Sequence, residues 1–232
     1  MAGEFSVNPV RLELGTAARS GAITVRNDGK QPLSFQLQAM EWIQDANGKD
    51  KYLETQDLIF FPKILTVEPG QDGLVRVGTK TPIVPSEKTY RLYIEELPVN
   101  IVRTPETKGA HIDFLIRFGA PIFITPLKPH DALDIERVAL EHGELAVSAR
   151  NSGNRHQVVE GLYLRGTNAL GEEVYAITLA DRYLLAGTAK SYTTSIDADK
   201  CAKLVTVEVE LKTDKLSAKR KLTVTPAMCA PK

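Results

Sequence analysis

The chain has 232 residues, 43% of them hydrophobic and 25% charged, a composition that supports a packed globular core. Lysine plus arginine and aspartate plus glutamate each number 29, so the formal net charge is zero. That balance argues against a nucleic-acid partner, whose binder needs an excess of cations. No apolar run approaches the length of about 18 residues that a membrane-spanning helix takes, which argues against membrane insertion.

From the N-terminus, Met1-Ala2-Gly3-Glu4-Phe5 has neither the basic nor the apolar stretch of a signal peptide. Val10, Leu12 and Leu14 then alternate with Arg11 and Glu13, and Ile23 and Val25 with Thr24 and Arg26. Leu33, Phe35 and Leu37 alternate with Ser34, Gln36 and Gln38. Alternation of period two describes half-buried strands. Between the runs stand Asn27-Asp28-Gly29-Lys30, Ala46-Asn47-Gly48-Lys49 and Glu68-Pro69-Gly70-Gln71, turn chemistries that supply a positive or preset φ. Further strands are predicted at Leu74-Val75-Arg76-Val77, at Tyr90-Arg91-Leu92-Tyr93-Ile94 and over a long run from Ile112 to Ile124. About seven strands before residue 127 is the complement of one immunoglobulin-like sandwich.

Pro126-Leu127-Lys128-Pro129-His130-Asp131 reads as a short, stiff linker. A second set of strands follows. Leu145-Ala146-Val147-Ser148-Ala149 ends at the turn Asn151-Ser152-Gly153-Asn154, and strands are then expected at 158–164, 173–179, 191–196, 204–211 and 221–225. The fold class is therefore all-β, as two sandwich domains, residues 1–127 and 128–232.

Catalytic chemistry is thin. His111, His130, His142 and His156 form no close ligand pair and are expected in exposed loops. Glu95 and Glu96 are adjacent on a strand, so they point to opposite faces and cannot share a substrate. Trp42, the single tryptophan, is expected as a core or edge aromatic, and no nucleophile elbow or phosphate loop occurs. The expectation is a protein that is not an enzyme and carries no cofactor or metal. Cys201 and Cys229 stand 28 residues apart. Either they pair, closing a loop worth roughly 3.5 kcal/mol, or they are two unrelated buried thiols.

In His111-Ile112-Asp113-Phe114-Leu115-Ile116-Arg117-Phe118, one face carries Ile112, Phe114, Ile116 and Phe118. Such a row either faces its own core or lies on an edge that waits for a partner strand. Lending that edge to another chain is the use that would justify keeping it.

Five segments, taken in their order and spacing, resemble those of periplasmic pilus-assembly chaperones of the PapD kind. They are Asn8 to Leu12 followed by Ile23 to Asn27; Ile64 to Gln71 leading to Val75-Arg76-Val77; Tyr90 to Pro98; Pro121 to Pro126; and Arg182 to Gly187. The resemblance spans nearly the whole chain. It implies two immunoglobulin-like β-sandwich domains set in an L or boomerang, with the subunit-binding edge strand near 111–124.

The resemblance further implies a chaperone that holds incomplete pilin subunits by donor-strand complementation and delivers them to an outer-membrane usher in the periplasm. Its signal peptide would already be removed. Arg11 matches the family's cleft arginine, which grips the subunit's terminal carboxylate. The family's lysine falls at Pro121, so Arg91 or Arg117 is left to supply the second cation, a departure similar to the archaic-type branch. Ile112, Phe114 and Ile116 match the donor positions, with Phe118 as a fourth. The junction arginine of the family's interdomain salt bridge is replaced by Thr125 while Glu96 is kept. A disulfide between Cys201 and Cys229 is implied too. Two further readings stay open: a client-free adhesion or structural module, and self-association through the edge strand.

Overall fold

The computed structural model describes residues 3–98 and 114–230. They form two compact units, Met1–Ile43 with Tyr52–Leu127 and Gln44–Lys51 with Lys128–Lys232. With 58% strand and 4% helix, the protein is all-β.

The chain passes through β1 (Phe5–Asn8), β2 (Leu12–Leu14), β3 (Ser20–Asn27), β4 (Leu33–Gln44) and β5 (Asp50–Glu54), of which the first unit takes all but Gln44 and Asp50-Lys51. It continues through β6 (Leu58–Phe61), β7 (Ile64–Val67), β8 (Asp72–Thr79), β9 (Lys88–Glu96) and β10 (Arg117–Ile124). One sheet has the order β1-β3-β8-β6 and the other β2-β10-β9-β4-β5, with β7 also against β4. The alternating residues fill the space between them. Ile23, Val25, Val75 and Val77 come from one sheet and Phe35, Leu37, Leu92, Ile94 and Ile122 from the other, all buried. Each such side chain contributes about 1.5–3 kcal/mol by leaving water. The first strand changes sheets: β1 pairs with β3, whereas β2 runs parallel to β10. The Asn8-Pro9 peptide at the crossing is cis.

The second unit holds β11 (Leu133–Glu141), β12 (Glu144–Asn151), β13 (Gln157–Thr167), β14 (Glu173–Leu179), β15 (Tyr183–Leu184) and β16 (Ala189–Ser195). Then come α1 (Ala198–Cys201), β17 (Thr206–Thr213), β18 (Ser217–Thr223) and α2 (Pro226–Cys229). Sheets of order β11-β12-β16 and β14-β13-β17-β18, with β15 beside β13, enclose Leu145, Val147, Leu162, Leu164, Val207 and Val209. Cys201 and Cys229 are joined in a disulfide with their Cα atoms 5.6 Å apart. β11 escaped the pattern reading for a physical reason. A bulge between Ile135 and Arg137 shifts the register, so buried positions change parity from Leu133 and Ile135 to Val138 and Leu140.

One device occurs in both units. Asn27 and Asn151 are completely buried at the ends of β3 and β12. Asn27 Oδ1 accepts from the Gly29 N–H at 2.9 Å, and its Nδ2 donates to the carbonyls of Gln31 and Val67, each at 2.8 Å. Asn151 repeats the arrangement with the Gly153 N–H at 3.0 Å and the carbonyls of Arg155 and Leu184 at 2.8 and 3.0 Å. Val67 and Leu184 each precede a turn whose third residue is a glycine at positive φ, Gly70 (71°) and Gly187 (70°). That conformation suits glycine in a type II turn.

Candidate functional site

β10 is paired unequally along its two sides. Toward β9 the pairing runs from Arg117↔Glu95 to Ile124↔Lys88. Toward β2 it covers only Ile122↔Leu12 to Ile124↔Leu14. Over Arg117–Pro121, no strand among the described residues occupies the side away from β9. The Glu96 N–H donates to the Ile116 carbonyl at 2.9 Å, so even positions of β10 face β9 and odd positions turn their backbone groups outward. Thr125 keeps that parity, donating its N–H to the Leu14 carbonyl at 2.8 Å. The outward groups of the open stretch therefore belong to Arg117, Gly119 and Pro121. Proline has no N–H to leave unsatisfied there, which is how it is tolerated on an edge.

Three large apolar side chains lead into this edge. Phe114 is 67% exposed, Leu115 50% and Ile116 39%. Sheets ordinarily blunt or cover an edge in such company.

Cations flank the far end of the open stretch. Residues directly opposite on neighbouring strands share a face. Arg91 is the β9 partner of Pro121, and the β2–β10 register carried back one residue sets Arg11 opposite Pro121 on the other side. A row across three strands thus reads Arg11, Pro121, Arg91, with neighbouring strands about 4.8 Å apart. Arg91 is half-buried, its guanidinium 4.0 Å from the Trp42 ring and its Nη1 donating to the Gly119 carbonyl at 3.1 Å. Phe123 lies 6.2 Å from Trp42, and both aromatics are buried. Arg11 is exposed, 3.8 Å from an equally exposed Glu13, a contact that water screens to little.

Arg117 belongs to another neighbourhood. It stacks over Tyr93 at 3.9 Å, pairs with Glu95 at 3.1 Å and reaches Gln38 Oε1 at 3.4 Å. Along β10 it lies four residues, about 13 Å, from Pro121.

Several expectations change in the structure. The strand expected from Ile112 starts at Arg117; Ile112 lies outside the described residues, and Phe114 and Ile116 precede the strand. Phe118 pairs with Ile94 and packs against the unit's own core. Glu96 is at the opposite end of β9 from the Thr125 junction; its carboxylate accepts from the Gly3 N–H at 3.0 Å and the Ile116 N–H at 3.3 Å. His156 lies in the loop before β13 but is buried there, 4% exposed, with its ring 5.8 Å from Tyr183, rather than exposed as expected. His130 and His142 are exposed, and His111 lies outside the described residues. Among the described residues no three His, Cys, Asp or Glu side chains come together as metal ligands.

The family of pili and flagellar-assembly chaperones, PapD N-terminal domain, matches residues 4–129, which include β10, Arg11 and Arg91. The chain belongs to this family of PapD-like chaperones. Solved structures extend the likeness over both units. The CsuC–CsuE chaperone–tip adhesin subunit pre-assembly complex of Acinetobacter baumannii archaic Csu pili aligns with TM-score 0.64 at 17% identity, covering 93% of this chain and 98% of the other. The Pseudomonas aeruginosa CupB2 chaperone aligns at 0.56 and 15%, over 95% and 100%. The Salmonella enterica SafA pilin–SafB chaperone complex aligns at 0.58 and 12%, over 95% and 97%. Identities this low establish the fold. Comparison with curated protein sequences finds no match.

In this PapD-like chaperone, sequence reasoning missed the pairing of Arg91 with Trp42. A signal existed. Leu33, Phe35, Leu37 and Ala39 are the buried positions of β4, and Trp42 breaks that parity. A large aromatic on the outward face of a strand asks for a partner on that face.

Proposed function

We propose that this chaperone holds an incomplete pilin subunit by lending it the edge of β10, and hands it to an outer-membrane usher. The observation that carries the reading is that, among the described residues, no strand lies beside Arg117–Pro121 on the side away from β9, with Arg11 at the end of that stretch. A subunit lacking one strand has an open groove of its own. Main-chain hydrogen bonds along β10 supply general affinity, and the apolar side chains before and along it fill the groove. Ile112, Phe114 and Ile116 are the donor side chains on this reading, each worth about 1.5–3 kcal/mol when buried, before ordering and association costs. Arg11, with a second cation, holds the subunit's terminal carboxylate, a task suited to a guanidinium's fork. The relatives support the client class, since CsuC and SafB were solved with an adhesin subunit and a pilin.

Residues 1–127 are then the subunit-binding domain and residues 128–232 the second. The work is binding, with no bond made or broken in the client. The Cys201–Cys229 disulfide suits an oxidising compartment, and with the family it supports the periplasm.

The test is co-purification of the tagged chaperone from the periplasm of its host, with mass spectrometry of what accompanies it. A stoichiometric immunoglobulin-like subunit, lost when Arg11→Ala is introduced, is the expected result. Recovery of the chain alone while pilins are being made would favour the client-free module.

A further inference from the structure

We infer that Glu96 is a positioning residue for the donor segment, fixing where that segment joins the β9–β10 ladder and doing so jointly with the N-terminal segment at Gly3. This deepens the proposed function and rests on it.

Glu96 ends β9 and is only 3% exposed. A carboxylate loses its hydration in such a place, and an amide or an apolar side chain would fill it at lower cost. What the carboxylate supplies is two strong acceptors, and both are used. The Glu96 N–H donates to the Ile116 carbonyl at 2.9 Å. In a regular antiparallel pair the return bond runs from the Ile116 N–H to the Glu96 carbonyl. Here the Ile116 N–H donates instead to Glu96 Oε2, at 3.3 Å. The ladder thus closes on a side chain, one residue before β10 begins. The Gly3 N–H donates to the same carboxylate, at 3.0 Å to Oε1 and 3.3 Å to Oε2. A Cβ at position 3 would come 2.8 Å from Oε1 and 2.7 Å from Leu33 Cδ2, so the close approach uses a glycine. Hydrogen bonds to an ionised acceptor are roughly twice as strong as neutral ones, and Gly3 keeps this acceptor aimed at Ile116.

The apolar row changes role at the tie. Phe118 packs against the unit's own core, whereas Ile116 is 39% exposed and Phe114 67%. A segment held at its root in one direction gives up less freedom when a partner strand orders it, which is how preorganisation adds to affinity.

Hydrogen exchange of the Ile116 amide in the client-free chaperone reads the tie, with Ile122, inside the ladder of the same strand, as the reference. Glu96→Gln sets an amide nitrogen, itself a donor, against one of the two N–H groups. It should speed exchange at Ile116 about tenfold and leave Ile122 unchanged. Gly3→Ala, which keeps the carboxylate, should speed Ile116 severalfold from the far end of the unit's sequence. In the periplasmic co-purification both variants should retain severalfold less subunit than the native chaperone. Should Glu96→Gln not fold, Gly3→Ala decides by the same readings. An unchanged Ile116, or an acceleration that Ile122 shares equally, overturns the positioning role. So does full retention of the subunit by a variant whose Ile116 amide has been freed. A native chaperone that carries no subunit while pilins are being made brings down the proposed function itself, and this inference with it.

Discussion

Asn27 shows how far one side chain's influence runs beyond its local sequence. Its amide satisfies three backbone groups at once, one of them on Val67 across the sandwich. Removing it strands an N–H and two carbonyls in the interior, at about 1–3 kcal/mol for each group left without water or partner. Asn27→Ala should therefore lower stability by about 2–3 kcal/mol after relaxation. Trp42, the sole tryptophan, reports on the first unit in a urea titration, and an unchanged midpoint of its fluorescence would count against the argument. The turn character of Asn-x-Gly was legible in the sequence at 27–29 and 151–153. The reach to Val67 and Leu184 was not, because it depends on which strands become neighbours. Asp131 makes a second case. Hydrogen bonding from Arg155, helped by Gln157, holds its carboxyl below the usual carboxylate range. A depressed folded pKa contributes stability that is complete above the ordinary value near 4 and is lost as pH falls through the folded value. The melting temperature of the native protein should thus fall more steeply below about pH 4 than that of Asp131→Asn. Parallel acid limbs for the two proteins would remove Asp131 from the account.

At the scale of the element, β10 joins two roles that its alternation alone could not separate. Ile112, Phe114, Ile116 and Phe118 share a parity, and periodicity assigns them one face without saying what that face meets. In the fold Phe118 packs against the core beside Ile94, while Phe114 is 67% exposed. Pairing is a long-range property. β2 can cover only three residues of β10 because the chain has just crossed from the other sheet at Pro9, and nothing near residue 118 in the sequence records this. Arg91 was legible as a candidate cation, but its place beside Pro121 follows from the β9–β10 register. The two phenylalanines should consequently respond in opposite ways. Phe118→Ala should cost about 2–3 kcal/mol of stability, somewhat below a fully buried phenylalanine. Phe114→Ser should change stability by no more than about 0.5 kcal/mol, as exposed positions do, yet weaken retention of the co-purified subunit. Equal losses of stability in both would mean that Phe114 serves the chaperone's own packing.

For the whole molecule, the duplicated asparagine corner shows two sandwiches built on one local plan but stabilised differently. Each has its own core; the first leaves one side of Arg117–Pro121 without a neighbouring strand among the described residues, and the second carries the disulfide. Cys201 ends α1 and Cys229 ends α2, so the bridge fastens the last turn of the described chain to Cys201, which is buried in the core of the second unit. Closing a loop of 28 residues restricts the unfolded chain by roughly 3.5 kcal/mol in the chain-entropy account. Cys201→Ala combined with Cys229→Ala removes that restriction and little buried apolar surface, so a loss of roughly 3 kcal/mol is expected in the unit that contains the bridge. The edge, Arg11 and Arg91 belong to the other unit. Two probes of one denaturation separate these effects. The backbone amide signals of Val147 and Val209, in the core of the second unit, should be lost at lower urea, while the Trp42 fluorescence transition stays where it was. A joint shift of both probes would show one cooperative molecule, in which the disulfide also sets the stability of the unit that contains β10.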